Sequence, residues 1–374
     1  MAVVHKDTKF LISFQFEPKV EVTGTRYGKY KVEFIDKDTN KSVHQCELKN
    51  NMWAKCNRRY YTPWIIKING KVEHEFDLKG KKVYVKFESK STGDTLAWIP
   101  QVVEFQKHHQ CEVTVSTFHN EWFENLPEYQ NLKFAQPGSS LEGYYACYQL
   151  GWFRNEKQQW DEGNYHPTQP NTIPLIQAAS DILGIPYKEV NYGIDFTPSE
   201  KSPFPDKYIV IAPRSTAGMK EWPHHYWEQL AKDLTDLGYK VVSVSYEGFT
   251  CPNVIDRGGR EWKWTWNFLY HAELFIGLGS GVSWANWALN KYTLMINNFV
   301  PYGHDFTQNM LKVENHSVCN NCWADTRFTF DRGNWDWCPR HQGTTAQHIC
   351  HKEIKPDYVL NKVKYILKHK LNKV

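Results

Sequence analysis

The run Tyr208-Ile-Val-Ile-Ala212 constrains the chain more than any other stretch, because it offers almost no polar alternation. A strand apolar at successive positions must be covered on both faces, the condition of an interior strand in a parallel sheet clothed by helices. The residues after it keep to that plan. Pro213 to Lys220 reads as a loop, Pro223 to Leu237 carries helical spacing closed by Gly238, and Lys240 to Ser245 is the next strand. Leu274 to Gly277 gives another strand and Tyr292 to Ile296 the last one expected, while Gly279-Ser280-Gly281 opens a helix through Trp284, Trp287 and Leu289. Alternation of this kind predicts a doubly wound α/β half over residues 206–300.

The same rhythm occurs earlier, over residues 81–200. Val83, Val85 and Phe87 alternate with Tyr84, Lys86 and Glu88, a Ser-rich loop follows, and a helix is expected from Asp94 through Leu96, Ile99 and Val103, with Pro100 kinking or shortening it. Strands are read at Cys111–Ser116, Leu132–Ala135 and Tyr144–Leu150, and a helix at Ile173–Leu183 stopped by Gly184. Pro198 to Pro205 reads as the linker to the second half. Residues 1–80 look all-β, with Asn69-Gly70 marking a hairpin, and are expected to form a small module for packing or assembly.

Composition narrows the function. Net charge of +4, from 45 basic and 41 acidic residues, is too balanced to announce a nucleic-acid binder. No apolar run approaches the roughly 18 residues of a membrane span, and the opening Met1-Ala-Val-Val-His-Lys6 lacks a leader's apolar core, so a soluble cytoplasmic protein is expected.

Cys319, Cys322, Cys338 and Cys350 form the pattern C-x2-C-x15-C-x11-C in a polar, aromatic segment too small to build its own core. Four thiolates at these spacings can close a tetrahedral site whose metal supplies the missing folding free energy. Spacing alone does not choose between zinc and a single iron. His341, His348 and His351 are nearby substitute ligands, and a closed four-Cys site reads as structural. The other cysteines, Cys46, Cys56, Cys111, Cys147 and Cys251, read as reduced thiols.

Asp94 sits where a strand hands over to a helix, which suits either an N-cap or a ligand-facing base, and Gly93 before it allows close approach of another molecule. Arg214 and Lys220, in the loop after Tyr208–Ala212, can neutralise a diphosphate, and Gly279-Ser280-Gly281 offers free amides at a helix start. Each feature alone has a bland reading as surface charge or simple turn. No P-loop and no three-glycine dinucleotide fingerprint is present.

Two Rossmann-like halves with a cleft between them resemble the GT-B glycosyltransferases. More closely, the chain resembles the bacterial autotransporter heptosyltransferases, on Ser89–Pro100, Ala212–Ser215 with Lys220–Trp222, Phe275–Trp284, Ser317–Trp323, Trp337-Cys338 and Cys350–Lys352. The resemblance implies an inverting transferase that moves heptose from ADP-heptose to serines of a repeat-bearing protein. Asp94 would be the general base and Lys220 the holder of the donor phosphates. Gly93, Thr95, Arg214, Ser215, Gly279, Ser280 and Gly281 would line the donor site, without a divalent metal at the pyrophosphate. It further implies iron at the four cysteines, with zinc as the alternative, and a ring-like homo-oligomer. The wider lipopolysaccharide heptosyltransferases carry Asp and His where this chain has Gly279 and Trp284, which leaves a related sugar nucleotide open. The expected organisation is therefore a β module (1–80), an acceptor-side half (81–200), a nucleotide-sugar half (206–300), a four-Cys finger (301–352) and a C-terminal helix (353–374). A non-catalytic glycan- or nucleotide-binding protein and a rubredoxin-like electron carrier are the competing readings. Gly93-Asp94 with Lys220 argues against the first, and the large α/β body makes the second superfluous.

Overall fold

A computed structural model of the chain describes residues 7–25 and 27–373. The opening Met1–Lys6, read above for a leader, lies outside them, as does Val374 at the end of the expected C-terminal segment. The chain divides into two compact units, one of Met1–Lys90, Trp98–Pro170 and Ile176–Lys188, the other of Ser91–Ala97, Asn171–Leu175 and Glu189–Val374. No helix among the described residues is long and apolar enough to cross a membrane.

Among its described residues the first unit holds two sheets. Its strands are β1 (Lys9–Gln15), β2 (Lys19–Thr23), β3 (Lys29–Asp36), β4 (Lys41–Lys49), β5 (Met52–Lys55), β6 (Trp64–Ile68), β7 (Lys71–Glu75), β8 (Lys82–Phe87), β9 (Glu112–Ser116), β10 (Leu132–Phe134) and β11 (Ala146–Leu150). The larger sheet has the order β10-β9-β8-β11-β1-β2-β5. Strands β10 to β1 along that order run parallel, and β2 and β5 close the edge antiparallel. The expected separation at residue 80 therefore does not hold: only β4-β3-β6-β7 make a sheet of their own. Strand β11 would otherwise present an open row of amides and carbonyls, and β1 satisfies it by pairing Phe14 with Ala146. The hairpin signal is met, since Asn69 and Gly70 both take positive φ (53° and 79°) between β6 and β7.

Helix α1 (Thr92–His109) starts earlier than expected and runs on through Pro100. A proline inside a helix costs about 3 kcal/mol, and burial of Leu96, Ile99, Val102, Val103 and Phe105 offsets it. The last helix contributing to this unit is α2 (Leu175–Leu183), ended by Gly184 at φ 65°.

In the second unit β12 (Tyr208–Ala212), β13 (Lys240–Ser243), β14 (Val254–Asp256), β15 (Leu274–Leu278), β16 (Thr293–Ile296) and β17 (Met310–Val313) form one sheet, ordered β14-β13-β12-β15-β16-β17 and parallel throughout. In chain order this is 3-2-1-4-5-6, the doubly wound arrangement of dinucleotide-binding folds. Every residue of β12 is buried, as its composition requires. Strands β14 and β17 were not expected; β14 is short and half-exposed, and β17 carries Lys312, which masks its apolar pattern. Helix α4 (Trp262–His271) was also missed.

One face of this sheet packs on α3 (His224–Asp236) and on α7 (Pro356–His369), through Trp227, Leu230 and Leu234 from α3 and Val359, Val363 and Ile366 from α7. Helix α5 (Gly281–Ala288) packs on β15 and β16. The short α6 (Ile349–Lys352) precedes α7. Strand order reverses between β12 and β15, so their carboxyl ends, leading into Pro213–Lys220 and Gly279–Gly281, flank the switch point where such sheets bind ligands.

Candidate functional site

The loop leaving β12 is shaped by its own polar side chains. Glu221 accepts from the Arg214 guanidinium at 3.1 Å and from the Ser215 amide at 3.1 Å, while Ser215 Oγ accepts from the Ala217 amide. Arg214, expected to face a diphosphate, is thus held by a carboxylate and half-exposed, and Ser215 serves as a turn-former. A single 3₁₀ turn, Gly218–Lys220, then aims Lys220 across the switch point. Its Nζ donates to the Gly279 carbonyl at 3.0 Å and lies 5.9 Å from the Phe299 ring centre. Burial lowers the Lys220 pKa, against which the carboxylates of Asp305 and then Asp94 act to raise it.

Asp94 lies in the first turn of α1, in the same compact unit as Lys220, and is buried. The backbone here is fixed by Ser91, whose carbonyl accepts from both the Thr95 amide and the Thr95 hydroxyl at 3.0 Å. Thr95 is fully buried with its hydroxyl committed in this way, so it supports the turn.

Gly93 has a different reason for its identity from the one expected. A Cβ there would meet Trp284 Cδ1 at 3.0 Å, and one on Gly281 would meet Thr92 Cβ at the same distance. The two glycines let the starts of α1 and α5 touch. This brings Asp94, Lys220 and the Gly279–Gly281 amides into one cluster. Ser280 precedes α5, and its Oγ is sealed from solvent with no hydrogen-bond partner among the described residues. Helix-start amides and an ammonium are groups of the kind that bind anions, and a carboxylate stands beside them.

Sequence reasoning missed the loop after β16. Asn297, fully buried, donates to Asp305 Oδ2 at 3.3 Å and accepts from the Phe299 amide at 2.9 Å. His304 is buried with its pKa pushed down to about 4, first by burial, and its Nδ1 donates to the Ile173 carbonyl at 2.8 Å. The available signal was a cluster of polar residues at the carboxyl end of an apolar strand.

The cysteine segment leans on this same loop. Phe299 and Val300 pack with Ala217, Met219 and Trp337, joined by Trp323, Phe328 and Phe330, and the Met219 amide donates to the Trp335 carbonyl at 3.1 Å. Burial first raises the thiol pKa of Cys319, Cys322 and Cys350, Cys350 to about 12; Cys338 raises all three further and Cys319 raises Cys322 and Cys350, while Arg340 opposes the rise at Cys319 and Cys322. The four sulfurs therefore share one neighbourhood. Among the described residues, however, no three Cys, His, Asp or Glu side chains gather closely enough to hold a metal ion. His351, a substitute ligand by sequence, is fully buried with Nε2 accepting from the Asn298 amide at 3.2 Å.

Residues 152–247 match the model of glycosyltransferase family 9 (heptosyltransferase), a span that includes Lys220. Over most of its length the chain is similar to autotransporter heptosyltransferases. It is 28% identical to Aah of Escherichia coli over 86% of this chain and 85% of that one. It is also 28% identical to BimC of Burkholderia thailandensis, described as an inactive autotransporter heptosyltransferase, over 83% and 75%. Among solved structures it resembles TibC of enterotoxigenic E. coli, described as iron-containing and dodecameric, with TM-score 0.85 and 25% identity over 98% of this chain and all of that one. A second TibC structure, in complex with ADP-D-beta-D-heptose, gives TM-score 0.84 at 25% identity and the same coverage.

Proposed function

We propose, from the kinship of this chain with the autotransporter heptosyltransferases, that it is an inverting glycosyltransferase moving a heptose from ADP-heptose to serine hydroxyls of a repeat-bearing protein. The observation that carries the reading is the clasp of Lys220 on the Gly279 carbonyl beside Asp94, at the switch point of a 3-2-1-4-5-6 sheet.

In this reading the diphosphate lies against Lys220 and the Gly281 end of α5, and it meets the Ser280 hydroxyl only if the loop before α5 shifts to uncover it. Asp94 takes the proton of the acceptor hydroxyl as its oxygen attacks the anomeric carbon. The bond from that carbon to the diphosphate oxygen breaks, and the electron pair leaves with ADP. Negative charge grows on the phosphate in the transition state, where a preorganised ammonium and helix amides stabilise it most. Arg214 keeps one guanidinium nitrogen on Glu221 and has its other N–H donors for the phosphate, so it is a secondary ligand.

Cys319, Cys322, Cys338 and Cys350 would hold one iron, with zinc as the alternative, once their sulfurs draw closer together than they stand here; the iron in TibC supports this. The ion would cross-link the segment that packs on Met219 and Phe299, a structural service to the Lys220 loop. Self-assembly and a cytoplasmic location follow the same kinship.

The test is mass-spectrometric detection of heptose on a serine-rich autotransporter passenger. Wild type should transfer, and Asp94→Asn should bind ADP-heptose yet lose roughly 10²–10⁴ of the rate, the usual worth of a general base. Donor binding without any transfer by wild type would put the chain with the inactive relative.

A further inference from the structure

We propose that Asp305, oriented by Asn297, is a positioning residue that keeps Lys220 charged and aimed at the donor phosphate. The inference deepens the function proposed above and rests on Lys220 as the phosphate holder.

Three observations on different elements converge. Lys220 Nζ is fixed to the Gly279 carbonyl. Position 279 can carry no side chain of its own, because a Cβ there would overlap the Asn297 amide nitrogen and stand 3.5 Å from Asp305 Oδ2. The space beside that carbonyl is thus filled by the Asn297–Asp305 pair reaching over from the loop after β16. A largely enclosed ammonium needs a counter-charge to stay protonated, and Asp305, which is buried, raises the Lys220 pKa more than Asp94 does.

The loop that carries Asp305 is staked at both ends. Asn298 donates to the Asn315 and Cys350 carbonyls at 3.0 and 2.8 Å, and its amide donates to His351. At the far end the Glu189 carboxylate accepts from the Thr307 amide, the Thr307 hydroxyl and the Gln308 amide at 2.7 to 2.9 Å. Such anchoring gives the carboxylate a fixed place, as a supporting residue must have. Among the described residues the other groups that face Lys220 are Asp94 from α1 and the neutral imidazole of His304. Asp336 of the cysteine segment lies against Gly218, two residues away. Division of labour follows: Asp94 serves the acceptor while Asp305 supplies the standing charge.

The test reads Lys220 directly. Trace acetic anhydride labels unprotonated amines, so Lys220 acetylation followed by mass spectrometry across alkaline pH gives its titration midpoint in the full-length protein. Asp305→Asn should move that midpoint to lower pH, and further than Asp94→Asn does; Asp305→Glu should restore part of it. In parallel, the pH at which ADP affinity has fallen tenfold should move down in Asp305→Asn. If Asp305→Asn fails to fold, Asp305→Glu and Asn297→Ala are read instead, with a downward shift expected in Asn297→Ala. An unmoved midpoint in every folded variant overturns the proposal. If wild type binds no ADP, the donor reading fails, while the labelling still decides whether Asp305 governs the Lys220 charge.

Discussion

Replacing Gly279 by Ala tests how tightly the phosphate side is packed. The new methyl would overlap Asn297 Nδ2 and approach Asn297 Cγ to 3.4 Å. Asn297 is 1% exposed and has no room to swing into solvent. To make space its amide must retreat by on the order of 1 Å, a displacement that weakens its packing against every neighbour. That strains the bonds to the Phe299 amide and to Asp305, now at 2.9 and 3.3 Å. Overpacking costs about 1–3 kcal/mol, and a stranded buried polar group about 1–3 kcal/mol more, so about 2–6 kcal/mol is expected in all. For a unit of this size, at about 2–4 °C per kcal/mol, that lowers the melting temperature by roughly 4–24 °C. ADP affinity should fall as well, since Lys220 is bonded to the carbonyl of the substituted residue. Differential scanning fluorimetry with and without ADP measures both. Gly218→Ala is the control, because its Cβ would find only ordinary neighbours at 3.6 Å. A Gly279→Ala protein that melts and binds like wild type would refute the argument that position 279 is closed by Asn297 and Asp305.

Phe299→Ala should cost about 3–5 kcal/mol, the range for large aromatic truncations, and should also weaken ADP binding; thermal melts and calorimetry report the two. His166 and His304 are both held near pKa 4 by burial, against 6.5 for an ordinary imidazole. Between those values the unfolded chain binds the proton and the folded one does not, so stability is full above about pH 6.5 and is lost as pH falls towards 4. At pH 5 each should contribute roughly 2 kcal/mol of destabilisation. A urea midpoint unchanged from pH 7 to pH 5 would contradict this.

Strands with a strong composition were legible from sequence. Tyr208–Ala212 was read with its observed bounds because no other arrangement hides five such residues, and α3 and the start of α5 followed from Gly238 and Gly279–Gly281. Pairing was not legible: nothing local in Lys9–Gln15 says that its neighbour is β11, more than a hundred residues away. The Pro100 rule failed because burial outweighs a single proline. Gly93 was identified as a place of close approach, but the partner is the chain's own Trp284. Asp94 and Lys220 were chosen by position after a strand, and the fold places their charges within reach of each other. Asp305 carried no motif, since its role depends on a glycine elsewhere in the chain.

The most direct measurement is a calorimetric titration of ADP-heptose, against a panel of other nucleotide sugars, into wild type and Lys220→Ala. A hydrogen bond to a charged group is worth about 1.5–3 kcal/mol, so Lys220→Ala should bind ADP-heptose roughly 10- to 150-fold more weakly, with wild type preferring ADP-heptose over the panel. Equal affinity in the two proteins, or no nucleotide sugar bound by wild type, would contradict the assignment of this cluster as the donor site.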